Sequence, residues 1–201
     1  MKTITVILFC FLAVTSWSQV ETIDATIADY DAEIAMAIEE EMPEIVPHIS
    51  TTCPLILPAI GLVNHQIDIY FDKNREESEN DDSEILTSTS IRKVKFQIAS
   101  GSYQLDYAFY FDLLGHLIYQ SERAEDASYG CTLSSYYFDK GKCVQFRSEL
   151  LATEFCEVPS ENQPEIRTEL SDSDLLSIKW IIDSSNKFKQ LLALYAELLL
   201  N

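Results

Sequence analysis

Glycine is scarce in this chain, at five residues in 201, and histidine is scarcer, at three. So few glycines leave little room for a phosphate-cradling loop. Neither a P-loop, a G-x-G-x-x-G fingerprint nor a G-x-S-x-G elbow occurs. His48, His65 and His116 have no second ligand at i+4 and form no H-E-x-x-H. Basic residues are outnumbered, 14 against 33 acidic ones, for a net charge of −19. That balance repels nucleic acid and anionic membrane surfaces, and attracts cations or a basic protein. No two cysteines stand at the C-x₂₋₄-C spacing of structural zinc sites. Past the N-terminus no stretch stays apolar for the ~18 residues that a bilayer crossing needs. The residues therefore assign no catalytic group, no cofactor-binding group and no metal ligand.

Three features are present at the start of the chain. Met1-Lys2 supplies a positive charge, Ile4 to Val14 is an apolar run, and Ser16-Trp17-Ser18 places small residues ahead of Gln19. This order matches the three parts of a secretory signal peptide. It resembles the signal peptides of Gram-negative bacterial exported proteins that mature at a glutamine, which implies a periplasmic or secreted protein. Cys10 lies inside the apolar run, away from the cleavage position, and so is no lipid anchor. Residues 1–18 are then a signal peptide and 19–201 one mature domain. Losing Lys2 takes the charge from −19 to −20.

The mature chain keeps Cys53, Cys131, Cys143 and Cys156. In an oxidising compartment an even count points to disulfides, with three possible connectivities. A domain of this size can also build a core with free thiols.

Residues 24–41 have a helical pattern. Ile23, Ile27, Tyr30, Ile34 and Ile38 share one face, Thr26 with Asp29 forms a capping box, and Pro43 stops the helix. Four prolines in 43–63 argue against regular structure there. Residues 66–149 alternate with period two and predict an antiparallel sheet of five to six strands, wet on one face or covered there by amphipathic groups. Lys73 to Ser90 reads as a polar loop between the first two strands. Residues 172–199 predict a second helix, with Ser171 and Asp174 as its capping box. Its apolar stripe runs through Leu175, Ile178, Ile182, Phe188, Leu192, Tyr195 and Leu199, and Asp183 to Asn186 is a point where it can break. The fold class is α+β.

Tyr110-Phe111-Asp112 followed by Gly115 resembles Tyr137-Phe138-Asp139 followed by Gly141, and Tyr70-Phe71-Asp72 is a third, partial copy. The first two predict β-hairpins with Gly115 and Gly141 at positive φ. The pattern is similar to the aromatic-Asp-x-x-Gly-x-Leu hairpins of YD-type and MORN-like repeat proteins, families that imply no catalytic residue. The expected register sets Phe111 opposite Leu117, Phe109 opposite Tyr119, Phe138 opposite Cys143 and Tyr136 opposite Gln145. Cys131 then pairs near Leu150, roughly 23 Å from Cys143, which excludes a Cys131–Cys143 bond. Cys131–Cys156 is the favoured bridge, with Cys53 free or joined to Cys143. The acidic run 76–84 lacks EF-hand spacing and its central glycine, and reads as a solvated loop rather than a calcium site.

The functional expectation is a non-enzymatic exported binding module whose partner is another protein. The alternatives are a small exported hydrolase without a motif, or an acidic inhibitor or immunity protein against a basic toxin. A histidine near an acid in a cleft, or a pair of carboxylates there, favours the enzyme. An aromatic surface without such a cluster favours the module.

Overall fold

The protein is described here from a computed structural model covering residues 2–42, 46–57, 61–77, 84–101, 103–126, 130–151 and 164–200. Two helices, α1 (Lys2–Glu39) and α2 (Asp172–Leu200), flank an antiparallel sheet. The strands are β1 (His48–Leu57), β2 (Gly61–Glu77), β3 (Glu84–Ser100), β4 (Tyr103–Phe111), β5 (Leu117–Asp126), β6 (Gly130–Asp139), β7 (Lys142–Leu151) and β8 (Glu165–Arg167). They lie in the sheet in chain order, each beside its sequence neighbour. The fold is α+β as expected, but the sheet has eight strands rather than five to six.

The added strands have local causes. β1 runs through the proline-bearing segment because Pro54 sits on an edge strand, where a missing N–H is tolerated. The segment expected as a loop from Lys73 to Ser90 is largely paired. Its ladder runs from Lys73↔Thr89 out to Glu77↔Glu84, and Ser78 to Ser83 lie outside the described residues. β8 adds three residues against β7.

The Tyr-Phe-Asp triplet is a structural unit as well as a sequence one. In all three copies the tyrosine turns to one face and the phenylalanine to the other. A register shift falls between them each time, at Tyr70/Phe71, Tyr110/Phe111 and Tyr137/Phe138. Phe71, Phe111 and Phe138 are buried under α2, and Tyr70, Tyr110 and Tyr137 are buried on the opposite face. The β-bulge at each step lets one more residue into the facing strand and bends the sheet. It also corrects the expected register. Phe111↔Leu117 and Phe138↔Cys143 pair as expected, whereas Phe109 faces Gln120, Tyr136 faces Phe146 and Cys131 faces Leu151. A single bulge residue displaces every pair beyond it by one.

The α2 side holds the main core: Ile69, Val94, Phe109, Phe111, Phe138 and Phe146 under Ile181 and Leu192. Phe109 meets Phe188 edge-on, at 5.2 Å between ring centroids. The helix begins at the expected box. Asp174 accepts from the Ser171 N–H (2.8 Å) and hydroxyl (2.6 Å), and pairs with Arg167 at 2.7 Å. Burial works to raise the Asp174 pKa, but these donors and the guanidinium win and hold it below the usual aspartate value. Of the expected stripe, Ile178, Ile182, Phe188 and Leu192 pack on this core, joined by the buried Ile181 and Ser185, whereas Leu175 is 53% exposed and the side chains of Tyr195 and Leu199 lie outside those described. Asp183 to Asn186 do not break it, because Ser185 bonds back to the Ile182 carbonyl within the helix.

α1 is longer than the expected 24–41, since it starts at Lys2. Thr26 is therefore no cap; its hydroxyl bonds the Thr22 carbonyl one turn back. The helix ends before Pro43 in a left-handed cap. Glu41 has φ 55°, and Met42 N–H reaches the Ala37 carbonyl at 2.9 Å, a Schellman arrangement.

The turn between β6 and β7 has both central residues left-handed, Lys140 at φ 48° and Gly141 at φ 79°. That is the primed turn that matches strand twist. Gly115, at φ 77°, closes the β4–β5 turn. A Cβ at either glycine would meet nothing within 4 Å, so a substitution acts on the backbone alone. Gly141→Val should cost about 1 kcal/mol or more, and Gly115→Val a similar amount, read as lowered denaturant midpoints. Unchanged midpoints in both variants would refute the turn argument.

Candidate functional site

The strand registers arrange the α1-side residues in rows across the sheet. One row is Tyr70, Lys93, Tyr110, Tyr119, Tyr137 and Gln145. Two residues further along each strand, the next row is Asp68, Lys95, Ala108, Ser121, Ser135 and Arg147. The third brings Gln66, Gln97, Asp106, Arg123, Leu133 and Glu149 into line.

α1 lies along the first row and crosses the strands. From its start to its end it meets Asp139 through Gln19, Lys93 and Tyr110 through Asp31, Arg92 through Glu33, and Tyr70 through Ile34 and Ala37. Arg92 reaches α1 because the bulge at Tyr70/Phe71 leaves it outside the ladder. Its guanidinium also stacks on Tyr30 and pairs with Asp72. Two acidic residues of this helix, Asp31 and Glu33, thus anchor it to the sheet.

Burial governs titration beneath the helix. Tyr110 and Tyr137 are held far above the usual phenol pKa by desolvation first and then by Asp31 and by Tyr119 respectively. Desolvation pulls Lys93 below the usual lysine value although Asp31 favours its charged form.

Beside α1, part of the second and third rows forms a groove of about 390 Å³ among the described residues. Its floor is low because the middle of the second row is Ala108 and Ser121. Asp68 and Lys95 stand at one side, Asp106 and Arg123 at the other. Asp106 accepts from Gln97 (2.7 Å) and Gln104 (2.8 Å), and Asp68 accepts from Gln66 (2.9 Å). Arg123 leans to Glu125 at 3.8 Å. The Lys95 ammonium lies 5.8 Å from the centre of the Tyr70 ring, with no carboxylate within 4 Å among the described residues. Sequence reasoning missed this site. Alternation showed that these side chains share a face, but only the register shows that two small residues stand side by side among charged ones.

Neither a protein-family model, nor a curated protein, nor a solved structure matches this chain.

The residues singled out in the sequence do not converge on the groove. His116 serves a turn: its ring and backbone N–H both approach Asp112, at 3.0 and 2.7 Å, and the ring is more than half exposed. It is a histidine beside an acid, but at a hairpin tip rather than in a cleft. His48 stacks on Tyr70 and His65 leans on Phe96. Cys53 is an exposed free thiol on the edge strand β1. Cys143 is a free thiol whose pKa burial pushes up to about 11. Cys131 is buried and is not free. Cys156 lies outside the described residues, as does the centre of the acidic run 76–84. Among the described residues no three His, Cys, Asp or Glu side chains gather as a metal site, and no helix is long and apolar enough to cross a membrane.

Proposed function

We propose that this chain is an exported binding module that meets another protein through the groove beside α1 and performs no covalent chemistry on it. The lining of that groove carries the reading. Its described residues hold neither histidine nor cysteine, its hydroxyls are those of Ser121 and of Tyr107, whose pKa burial pushes up to about 12, and its two carboxylates are held by glutamine amides. Such a surface recognises polar groups and lacks a nucleophile with its activating base.

The length of α1 past Ser18 fits the export half of the proposal. Gln19 reaches Asp139 at the end of β6. From Gln19 to Glu39 the helix is about 31 Å long at 1.5 Å per residue. β2 to β6 span only ~19 Å at 4.8 Å per strand. Cleavage after Ser18 therefore leaves a helix long enough to cross the sheet with its anchors at Asp31, Glu33 and Ile34 intact. Mass spectrometry of the exported protein should give an N-terminus at Gln19. An intact Met1 on a cytoplasmic product would overturn export.

The binding half is tested by capture from the envelope on the immobilised exported protein and on Ala108→Trp, which fills the groove floor. A discrete protein retained by the wild type and lost from the variant is expected. Identical retention by both would refute the groove as the contact.

A further inference from the structure

The charges of the groove say what kind of group it takes. The protein as a whole is strongly acidic, so its outer field draws cations. The groove departs from that average, since Lys95 and Arg123 balance Asp68 and Asp106. A lining without net charge favours neither an anion nor a cation. It suits a molecule that carries both signs.

The detail is at Asp68 and Lys95. The register places them directly opposite on β2 and β3. Opposed side chains of this kind have Cβ atoms about 4.5–5.5 Å apart. An acid and a base so placed usually approach, yet no ion pair within 4 Å joins them. Asp68 takes the Gln66 amide on Oδ2 and keeps Oδ1 for another donor. Lys95 is exposed over the Tyr70 ring with all three of its N–H donors available for an acceptor. A carboxylate acceptor and an ammonium donor thus stand side by side at the wall. In front of them the floor drops at Ala108 and Ser121. At about 390 Å³ the space lies within the range of small-ligand sites, roughly 300–1,000 Å³. Asp106 is committed to two amides, which fixes the far rim rather than offering it to a ligand.

We propose that the groove binds a short zwitterionic peptide, with the peptide's ammonium on Asp68 and its carboxylate on Lys95. The proposal rests on the binding-module reading and names the chemistry that the module recognises. Both end charges are needed, because a ligand with one charge leaves the opposite groove charge to face it without compensation.

The test is an amide-resonance titration of the exported protein with three probes: Ala-Ala, N-acetyl-Ala-Ala and Ala-Ala amide. Ala-Ala should shift the Gln97, Ala108 and Ser121 signals saturably, and each single-charge analogue should bind at least ~10-fold more weakly. Lys95→Gln, at an exposed residue, and Asp68→Asn, an isosteric change at a half-buried one, should each weaken Ala-Ala about 10-fold while leaving the thermal midpoint unchanged. Equal binding of the three probes, no saturable shift with Ala-Ala, or unaltered binding in both variants would overturn the proposal. Its failure is distinct from failure of the module reading. If Ala-Ala does not bind but Ala108→Trp still loses its captured protein, only the ligand class falls. If Ala-Ala binds and capture is unaffected by Ala108→Trp, the protein contact falls and the ligand class stands.

Discussion

Above pH 10 the protein should lose stability steeply, and Tyr110→Phe with Tyr137→Phe should flatten that loss. Both tyrosines are only 4% exposed, and both are held protonated in the folded chain far above the ordinary phenol value of 10. A folded pKa raised above the unfolded one contributes stability that is complete below the unfolded pKa. It is lost as pH rises towards the folded value, because the unfolded chain releases its protons first. From about pH 10 upward each of these groups therefore removes roughly 1 kcal/mol per pH unit. Together they can exhaust much of a total that is typically about 5–15 kcal/mol within a few pH units. Tyr107, raised to about 12 by burial, and Tyr119, Tyr70 and Tyr136, also raised, act in the same direction. Lys93 has the opposite sign. Its folded pKa is depressed, so stability rises as pH climbs towards 10.5, and that contribution ends where the tyrosine loss sets in. Denaturant unfolding from pH 8 to 12 measures the slope. A double phenylalanine variant with the same alkaline limb as the wild type would refute the assignment to the tyrosine row.

That row also shows how far the sequence could be read. The triplet Tyr-Phe-Asp was visible three times, and alternation put tyrosine and phenylalanine on opposite faces. The hairpin turns followed from Asp and Gly, and the α2 cap from Ser171 and Asp174. The bulge beside each triplet was not legible, because it interrupts the alternation of the facing strand at one residue only, Arg92, Ile118 or Val144, and a single residue out of phase does not stand out from a period-two pattern. It moved every expected pair past the first by one. β1 was hidden by its prolines, since a strand that tolerates Pro54 does so by being an edge, which is a property of the sheet and not of the segment. α1 misled in another way. Charged residues on a helix are ordinarily its solvated side, but the surface beneath it presents Arg92 and Lys93, so the half-exposed Asp31 and Glu33 reach down to the sheet from the border of the helix. The groove required still more, the alignment of Ala108 with Ser121 across two strands and the knowledge of where α1 stops.

The same register decides where Cys131, buried among the described residues, can be bridged. We expect peptide maps of the exported protein, made without reduction, to join Cys131 to Cys156. Cys131 faces Leu151 on β7, whereas Cys143 faces Phe138, seven residues along β6. At about 3.3 Å per residue that separates them by roughly 23 Å, far beyond the ~7 Å limit between bridged Cα atoms. Cys53 is on β1, five strands from β6, or about 24 Å away. Cys143 and Cys53 are both free, while Cys131 is not. Once the first 18 residues are removed, Cys156 is the remaining cysteine, and it follows Leu151 by only five residues. A short reversal after β7 is enough to return it to Cys131. The bridge closes a loop of about 25 residues and should stabilise the chain by roughly 3 kcal/mol through the unfolded state. The measurement is the denaturant midpoint with and without a thiol reductant, alongside Cys156→Ser. Both should show the same loss, and the loss should not add when they are combined. A map that links Cys131 to Cys143 would refute the bridge and the β6–β7 register together. Additive losses would mean that the reductant acts on some other bond.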